Sequence, residues 1–591
     1  MHKIAAGLCF LLTSTALGHA APRTDLSAAQ LRAPAAEAGT EAATETRLVE
    51  NAAFVAPEGA AAASDGFEGT LHLGETLMTT EPAKLKSDNL LGKDPAYFPK
   101  IAISFTTVNG NLVPLTQDVI RAGSLPEGKS FWDTIVQPGA VWSEPGDDGW
   151  NRASFPFALM HSIEGETHNG VATFLYKGSE VSAVRMQIVN QTAPFYVEDR
   201  FTAAATLPAS FSPEVTGDAK AARQTFEAAE KDAYPTAPWS EFVAKYGQEV
   251  ADGFDGTIGA DERVAAAITV DGTMYVKYCP TPMGELPYCA RQRFGVWSVT
   301  KAATNEMAML SLAQKFGAGI YDQKLVELIP EAKGLEGWDR VTLGNLVNMS
   351  SAMGYGSHQA KPYTVSDPFD DHYYAWYEAP TTADKLAVLL PAAKPYPWLP
   401  GEVIRYRDED MFLLGVGLTR VVQKHGYANV WDYLEKEVYG PIGIHYAPTN
   451  KTIESEPSKD QSLMAYGYYP TLGDMAKLAE LIHQDGKFGG KQILSAEKVK
   501  ELQPREGHIG LPTGERERPY YHEAFWYSQM DSKWGCALYY PAMTGFGANY
   551  VAIFPKDITT IRIAKNLDNT RPSRTMDNFE ETADAIADLC E

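Results

Sequence analysis

The segment Val296-Trp297-Ser298-Val299-Thr300-Lys301-Ala302-Ala303 decides how this chain is interpreted. It places a serine and a lysine three residues apart, where an amphipathic helix is predicted to begin and run toward Gly317. This spacing puts Ser298 Oγ and Lys301 Nζ on one helix face, a turn apart. The helix N-terminus adds unpaired N–H groups and a positive field. Because a partly desolvated lysine loses its proton more easily, it can act as a base toward the hydroxyl. The pattern predicts an activated serine nucleophile and therefore a hydrolase.

The Ser-x-x-Lys spacing alone is a weak signal, because the chain contains it twice. The second copy, Ser495-Ala496-Glu497-Lys498, opens a polar helix, where we expect an N-capping serine and a solvated lysine. Apolar residues flank the first copy, so Lys301 is expected to be buried, which needs a reason. On spacing and burial alone, two interpretations are equally favoured. Either Ser298 and Lys301 are catalytic, or Ser298 caps the helix and Lys301 extends its charged end to solvent.

The beginning of the chain and its charge indicate location and partners. Lys3, an apolar run over 4–17 and Gly18-His19-Ala20 predict a secretory signal peptide over 1–20, since the run is shorter than the ~20 residues needed to span a bilayer. We therefore expect an exported protein, in the periplasm or the medium. A net charge of -24 argues against nucleic acid and anionic membranes. A small-molecule or peptide-like substrate is the expected partner.

Apart from Cys9, the chain has four cysteines, Cys279, Cys289, Cys536 and Cys590. An exported protein with four cysteines permits two disulfides. The favoured pair is Cys279–Cys289, which would close a short proline-containing loop and leave Cys536–Cys590. Four reduced thiols are the alternative. Zinc is not expected, because no Cys-x-x-Cys pair or histidine partner accompanies them, and no other cofactor is implied.

With 591 residues, the chain is expected to form two folded units. Residues 21–65 are rich in Ala, Glu, Thr and Pro and predict a flexible linker. Alternating runs with turn signals predict an all-β, sandwich-like domain of unreadable role over 66–212. A helical linker is expected over 213–244. Strand patterns at both ends of 245–591, with helices between them, predict an α+β domain whose antiparallel sheet unites its two ends.

A serine nucleophile also needs a proton relay and a site for the oxyanion. A tyrosine suits the relay where a nearby cation favours its phenolate. Tyr427 lies in a connector between helices, where a side chain more often faces solvent. Tyr406 lies at a loop-to-helix junction, which presents a side chain to a cleft, so Tyr406 is the predicted relay.

Several segments together resemble the serine β-lactamase-like hydrolase family, which includes class C β-lactamases, D-alanyl-D-alanine carboxypeptidases, family VIII esterases and 6-aminohexanoate-oligomer hydrolases. The segments occur in the family's order and cover most of the chain after Trp297. They are Trp297–Lys301, Val341–Ser351, Pro400–Gly415, Glu437–Ile444 and Gly486–Gly490.

The resemblance implies a role for individual residues. Ser298 would be the acylated nucleophile, Lys301 its general base and Tyr406 the proton relay, with the Ser298 N–H as half of the oxyanion hole. Met543-Thr544-Gly545 is the best match to the family's Lys-Thr-Gly or His-Thr-Gly strand. Small residues there, including Gly547 nearby, would let a substrate lie against the strand edge and complete the oxyanion hole.

Two residues depart from the family pattern. Met543 stands at the cationic position, and Asp408 replaces the asparagine of the second motif. In the family that lysine helps to bind the carboxylate common to β-lactams and D-Ala-D-Ala peptides, so an esterase or amidase acting on a less charged acyl donor is preferred. Arg405 or Arg407 would substitute as the cation or pair with Asp408; equally, both would be solvated. A D-amino-acid peptidase or β-lactamase, and a penicillin- or peptide-binding sensor without turnover, are the alternatives.

An acid-rich loop is the last candidate. Its spacing matches no defined calcium loop. A lid that buries the substrate under Trp376 and Tyr377 is a better interpretation than calcium, and a plain solvated loop is favoured over both. The loop carries Asp367, Asp370, Asp371 and His372.

Overall fold

The computed structural model describes residues 24–33, 46–87, 91–355, 371–503, 510–566 and 575–590. The predicted signal peptide lies outside the described residues. The strands before residue 213 are β1 (Ala61–Ala62), β2 (Gly69–Leu73), β3 (Thr76–Leu77), β4 (Thr79–Glu81), β5 (Tyr97–Phe98), β6 (Ile101–Val108), β7 (Asn111–Pro114), β8 (Asp133–Val136), β9 (Ala140–Ser143), β10 (Asn151–Met160), β11 (His168–Lys177), β12 (Glu180–Val181), β13 (Val184–Gln191), β14 (Thr202–Leu207) and β15 (Ala209–Ser212).

The later strands are β16 (Thr236–Pro238), β17 (Arg263–Val270), β18 (Thr273–Tyr278), β19 (Pro280–Thr281), β20 (Gly284–Glu285), β21 (Met353–Gly354), β22 (Lys394–Pro395), β23 (Lys487–Phe488), β24 (Lys491–Gln492), β25 (Leu511–Pro512), β26 (Tyr520–His522), β27 (Phe525–Asp531), β28 (Ala537–Gly545), β29 (Asn549–Phe554) and β30 (Ile558–Ala564). The α-helices are α1 (Ala28–Arg32), α2 (Ala219–Lys231), α3 (Trp239–Tyr246), α4 (Gln248–Gly253), α5 (Met307–Phe316), α6 (Leu325–Leu328), α7 (Leu343–Val347), α8 (Asp371–Glu378), α9 (Thr382–Ala392), α10 (Asp408–Gln423), α11 (Val430–Leu434), α12 (Leu472–His483), α13 (Ala496–Leu502) and α14 (Asp577–Ile586).

The first half of the chain forms two main antiparallel sheets in contact with each other, and β3 pairs with β5 in a separate two-stranded sheet. The larger runs β1-β9-β10-β11-β13-β14-β4, with β8 on β10 and β12 on β11, and the smaller runs β15-β2-β6-β7. Phe105 of the smaller sheet lies 5.3 Å from Phe155 of the larger one, between ring centroids. Every residue of β10 is buried, because this sheet is covered on both faces rather than exposed on one.

The second half contains one mixed sheet in the order β16-β18-β17-β30-β29-β28-β27-β26-β25. β17 pairs with β30, with Ile268 opposite Thr560, so the sheet unites the two ends of this region as predicted. The aromatic rings of Phe242, Phe254 and Phe579 belong to an apolar cluster between this sheet and helices α3, α4 and α14. The larger core cluster runs from Phe67 to Ile563 and therefore joins both halves of the chain.

Part of the predicted flexible linker is fixed by burial. Asn51 is 1 % exposed, and its Nδ2 donates to Thr281 Oγ1 (2.9 Å) and Gly284 O (3.1 Å). Gln187 Nε2 donates to Asn51 Oδ1 at 2.7 Å. Because buried polar groups need partners, these bonds tie the segment to β13 and to the β19–β20 hairpin. The flexible-linker prediction is therefore wrong for this stretch.

Both predicted disulfides are present. Cys279 pairs with Cys289 and Cys536 with Cys590, at Cα–Cα distances of 5.8 and 5.9 Å. Within the part of the chain that the structure describes, no helix combines the length and apolar character required to cross a bilayer.

Candidate active site

Ser298 stands at a sharp turn immediately before a helix. Lys301–Glu306 form a π-helical turn that continues into α5, and Gly317 ends α5 with a φ of 93°, which confirms the predicted helix. Trp297 has a φ of 50°, an uncommon backbone conformation for a bulky residue. Such positions persist where the surroundings hold them, and they cluster at functional sites. The turn leaves Ser298 half-buried, whereas Lys301 is buried as predicted.

The side chain of Lys301 is the centre of a compact polar cluster. Its Nζ lies 2.5 Å from Ser298 Oγ, 2.7 Å from Asp408 Oδ1 and 2.8 Å from the carbonyl oxygen of Ala465. The ring of Tyr406 is beside the same ammonium, with its centroid at 4.9 Å. The structure thus brings together the serine, lysine and tyrosine that the sequence singled out. Asp408, which was predicted with Thr544 and Gly545 to bind the substrate or the oxyanion, contacts Lys301 in the same cluster.

The charge state of Lys301 differs from the expectation. Burial lowers the pKa of Lys301, but the neighbouring Asp408 carboxylate and Tyr406 outweigh it, so the pKa lies above its ordinary value. The prediction that this lysine gives up its proton easily is wrong for the resting site. Lys301 is an ammonium that donates a hydrogen bond to Ser298 Oγ.

Asp408 is held from two sides. It opens α10 (Asp408–Gln423), whose first turn carries three acidic residues that suit the positive end of the helix dipole. Its Oδ1 faces Lys301, and its Oδ2 accepts a hydrogen bond of 2.8 Å from the hydroxyl of Tyr373 on α8. Tyr373 was missed by the sequence reasoning, because nothing local links it to a residue 35 positions away.

The two arginines next to Tyr406 are both buried. Arg405 and Arg407 are 2 % and 1 % exposed. Arg407 donates to the carbonyl oxygen of Met353 and forms ion pairs with Glu409 (3.6 Å) and Asp410 (3.7 Å). A substrate cannot reach a guanidinium buried in this way. The predicted substrate contact of Arg407 is therefore wrong, and so is the alternative of a solvated surface group.

The end of β28 lies directly against the turn that carries Ser298. A Cβ added at Gly545 would approach Val296 O to 2.2 Å and Ser298 N to 3.2 Å. Only glycine permits this approach, which sets the strand edge beside the Ser298 N–H. Met543 is fully buried in the core, and Thr544 is almost fully buried. This juxtaposition fits the motif alignment Met543-Thr544-Gly545.

Gly547 has a different place. It lies in the turn between β28 and β29 with a φ of 86°, and a Cβ there would come within 2.3 Å of Ala193 Cβ. Its backbone carbonyl accepts a hydrogen bond of 3.0 Å from Asn566 N. The turn at Gly547 packs against Ala193, and the role of Gly547 in substrate binding stays a prediction.

A cation that the sequence reasoning missed lies on the same wall. Arg518 Nη1 donates to Thr544 Oγ1 at 3.3 Å, and its guanidinium carbon is 4.3 Å from the ring centroid of Trp526. Glu515 pairs with Arg518 at 2.6 Å. The surrounding polar run Glu515-Arg516-Glu517-Arg518 looks like a solvated loop, and no pattern singles out one arginine.

The β-rich first half contributes to the nucleophile turn. Thr167 Oγ1 accepts a hydrogen bond of 3.0 Å from Gly295 N, and Ala193 O accepts one of 3.1 Å from Trp297 Nε1. The ring of Phe195 lies 5.7 Å from Trp297 and 6.5 Å from Phe546, between centroids. Phe195 is half-buried and Phe546 is 37 % exposed, so these aromatic side chains line accessible surface next to Ser298.

The structure describes the acid-rich segment only from Asp371 onward. Asp367 and Asp370 lie outside the described residues. Asp371 begins α8, on which His372 is exposed and Trp376 and Tyr377 are 1 % exposed. Because the aromatic residues pack inward, the favoured prediction of a plain solvated loop is wrong for this part of the chain.

The second Ser-x-x-Lys copy is structural. Ser495 caps α13, as predicted, by accepting from the backbone N–H of Lys498. Lys498 is 8 % exposed and pairs with Glu501 and, at 2.8 Å, with Glu523, so the prediction of a solvated lysine is wrong. Among the described residues, Glu501, His522 and Glu523 form the group whose spacing would suit a metal, but the Lys498 ammonium already neutralises two of them.

Comparison with known proteins places this site in a family context. The family model described as Beta-lactamase matches residues 256–584. No curated protein matches the chain. Among solved structures, a protein from Bacillus anthracis named as a 6-aminohexanoate-dimer hydrolase is 18 % identical, with a TM-score of 0.42, over 55 % of this chain and 78 % of that chain.

Two further solved structures are similar over the same share of the chain. A penicillin-binding protein homolog from Caulobacter crescentus is 14 % identical, with a TM-score of 0.38, over 57 % of this chain and 96 % of that chain. A family VIII carboxylesterase is 15 % identical, with a TM-score of 0.39, over 56 % of this chain and 96 % of that chain.

Proposed function

Since the chain belongs to the Beta-lactamase family, we propose that it is a serine hydrolase that cleaves an ester or amide bond through an acyl-enzyme on Ser298. The observation that carries the proposal is the contact of 2.5 Å between Lys301 Nζ and a half-buried Ser298 Oγ at a strained turn. A serine that only caps a helix needs no buried lysine against its hydroxyl.

The geometry supports a two-step reaction. Ser298 Oγ attacks the carbonyl carbon and passes its proton to Lys301 as the Lys301 ammonium gives up one of its own. Tyr406 hands a proton to the leaving group and is reprotonated through Lys301. The Ser298 N–H, beside the edge of β28 at Gly545, donates to the developing oxyanion. Water then enters the same site and hydrolyses the acyl-enzyme. These roles follow from contacts on the resting site and are tested by substitution.

The cleft favours an acyl donor with an apolar group. Met543 is buried in the core, so this strand position supplies no charge, and Phe195, Trp297 and Phe546 place aromatic surface beside the nucleophile. Burial of an aliphatic or aromatic acyl chain there contributes roughly 25 cal/mol per Å2 of apolar surface removed from water.

The test compares the two Ser-x-x-Lys copies. Ser298→Ala and Ser495→Ala remove the same hydroxyl from the same spacing, one in the cleft and one at a helix cap. With p-nitrophenyl esters of short acids as substrates, we expect Ser298→Ala to abolish turnover and Ser495→Ala to retain it. Full turnover by Ser298→Ala would refute the proposal.

A second candidate function is hydrolysis of carboxylate-bearing amides, as by a D-amino-acid peptidase or β-lactamase. It is favoured by Arg518, whose contact with Thr544 sets a cation on the cleft wall although Met543 supplies none. Turnover of a chromogenic cephalosporin that exceeds ester turnover, and that Arg518→Ala abolishes, would establish this candidate. Ester turnover alone would exclude it.

We also propose export to the periplasm or the medium. The two disulfides support this, because they persist in oxidising compartments. The intact mass of the protein recovered from its native compartment is expected to lack residues 1–20.

A further inference from the structure

The chemistry of the resting site leaves the first proton transfer without an acceptor. Lys301 faces the Asp408 carboxylate at 2.7 Å and is an ammonium, which cannot take the proton of Ser298 unless it gives one away. The nearest group that can receive it is the same carboxylate. The position is unlike an ordinary surface ion pair, because Lys301 is 1 % exposed.

We propose that Asp408 receives the proton that Lys301 gives up, so that the serine, lysine and aspartate form a three-member proton relay; this rests on the proposed function. Ser298 Oγ bonds to the substrate carbonyl carbon while its proton moves to Lys301 Nζ, and a proton of Nζ moves to Asp408 Oδ1. Lys301 remains an ammonium, Asp408 becomes the neutral acid, and the carbonyl oxygen takes the negative charge. As the bond to the leaving group breaks and the carbonyl re-forms, Tyr406 gives its proton to the leaving group, and the proton on Asp408 returns through Nζ to Tyr406.

Four contacts hold the relay in line. Lys301 Nζ donates hydrogen bonds to the carbonyl oxygen of Ala465 and to Ser298 Oγ, and it forms an ion pair with Asp408 Oδ1. The Tyr373 hydroxyl donates to Asp408 Oδ2, which keeps Oδ1 turned toward Lys301. The ammonium thus lies between the Ser298 hydroxyl, which loses a proton in the reaction, and the Asp408 carboxylate, which takes one, at 2.5 and 2.7 Å from the two oxygens.

The other titratable groups near the pair, within the part of the chain that the structure describes, include tyrosines and the carboxylates of Glu306, Glu409 and Asp410, which act on Tyr373 or Tyr521. Burial and nearby carboxylates raise the pKa of Tyr373 well above 10, and burial does the same for Tyr466 and Tyr521, so these three stay neutral over the working range. Tyr406 lies against the ammonium from the other side. The comparison of Asp408→Asn with the native protein leaves the other carboxylates in place and therefore reports on the Lys301–Asp408 pair.

Asp408→Asn distinguishes the relay from two alternatives, a free-amine Lys301 as the base and an Asp408 that only contacts substrate. The variant keeps the shape of the side chain and the hydrogen bond from Tyr373, but it removes the proton acceptor. Burial then lowers the pKa of Lys301 without the opposing carboxylate, so the lysine must act as a free amine. The relay predicts that the acidic limb of the kcat/KM profile for p-nitrophenyl acetate moves to higher pH. It also predicts about 100-fold lower kcat/KM at pH 7, the scale of one general acid–base contribution.

The opposite outcome is equally clear. If a minor free-amine form of Lys301 is the base in the native protein, Asp408→Asn moves the limb to lower pH and raises the rate at pH 7. An unmoved limb would mean that Asp408 only contacts substrate. Either result overturns the relay and leaves the hydrolase proposal standing. Absence of ester turnover in the native protein would instead refute the hydrolase proposal.

Two further variants serve as controls, one for the Asp-to-Asn change itself and one for the case that Asp408→Asn does not fold. Asp432→Asn makes the same chemical change in a surface ion pair with Lys436 (2.6 Å) and is expected to leave the profile unchanged. Asp408→Glu retains a carboxylate; if Asp408→Asn does not fold, this variant is expected to keep the acidic limb at its native position at a reduced rate. A limb that moves upward in Asp408→Glu would overturn the relay.

Discussion

Replacing Gly545 by alanine tests whether the edge of β28 sets the nucleophile geometry. The added Cβ would lie 2.2 Å from Val296 O, and 3.2 Å from both Ser298 N and Val299 N. To restore an ordinary contact, the strand end and the turn must separate by about 1 Å. A displacement of this size at a reacting group costs about 100-fold in rate. Overpacking of this kind costs about 1–3 kcal/mol in stability, so a folded protein with poor catalysis is expected.

The assay is kcat/KM for p-nitrophenyl acetate, with circular dichroism to show that the variant is folded. The matched control is Gly253→Ala, since a Cβ at Gly253 meets nothing within 4 Å. We expect about 100-fold loss for Gly545→Ala and no loss for Gly253→Ala. Activity of folded Gly545→Ala within about threefold of the native value would show that this contact does not shape the reacting site.

Three further predictions concern the relay tyrosine, a disulfide and a buried histidine. Tyr406→Phe keeps the ring packed 5.4 Å from Trp526 and is expected to lower kcat for a poor leaving group by about 100-fold with an unchanged urea midpoint; an unchanged kcat would exclude the relay role. Serine at Cys536 and Cys590 opens a loop with a separation of 54 residues and should lower the free energy of unfolding by about 4 kcal/mol, measured in urea; a change under about 1 kcal/mol would contradict this. Burial lowers the pKa of His161 from 6.5 to about 4, so its contribution to stability is present above pH 6.5 and lost as pH falls toward 4, by up to about 3 kcal/mol. His161→Asn should flatten that slope, and an equal slope would refute the assignment.

Features encoded by neighbouring residues were predictable. The spacing of Ser298 and Lys301 and the apolar pattern up to Gly317 identified the helix and its buried lysine. Strand periodicity at the two ends of 245–591 identified the sheet closed by β17 and β30, and cysteine count with spacing identified both bridges. Each of these depends on period, spacing or composition, which a single sequence displays.

Features that depend on long-range contacts were not predictable. The charge state of Lys301 is set by Asp408, more than a hundred positions later in the chain, and the orientation of Asp408 is set by Tyr373. The cation on the cleft wall, Arg518, resembles any residue of a solvated polar run. The sequence contained a local indication that Arg407 is paired and buried, because the acidic residue Asp410 lies three positions later and forms an ion pair with it.

The role of the β-rich half could not be predicted from the sequence, because it depends on how this half packs against the turn that carries Ser298. Its loop supports the nucleophile turn through Thr167 and Ala193, and Phe195 adds aromatic surface to the cleft. The two halves share one apolar core cluster. We therefore propose that 66–212 is part of the catalytic unit rather than an independent binding domain.

The covalent intermediate is the most direct test of the account. The protein is treated with a fluorophosphonate probe, digested and mapped by mass spectrometry, with Ser298→Ala alongside. We predict a single adduct, on Ser298, that is missing in the variant. Ester hydrolysis with no adduct, or an adduct on another residue such as Ser495, would contradict the account.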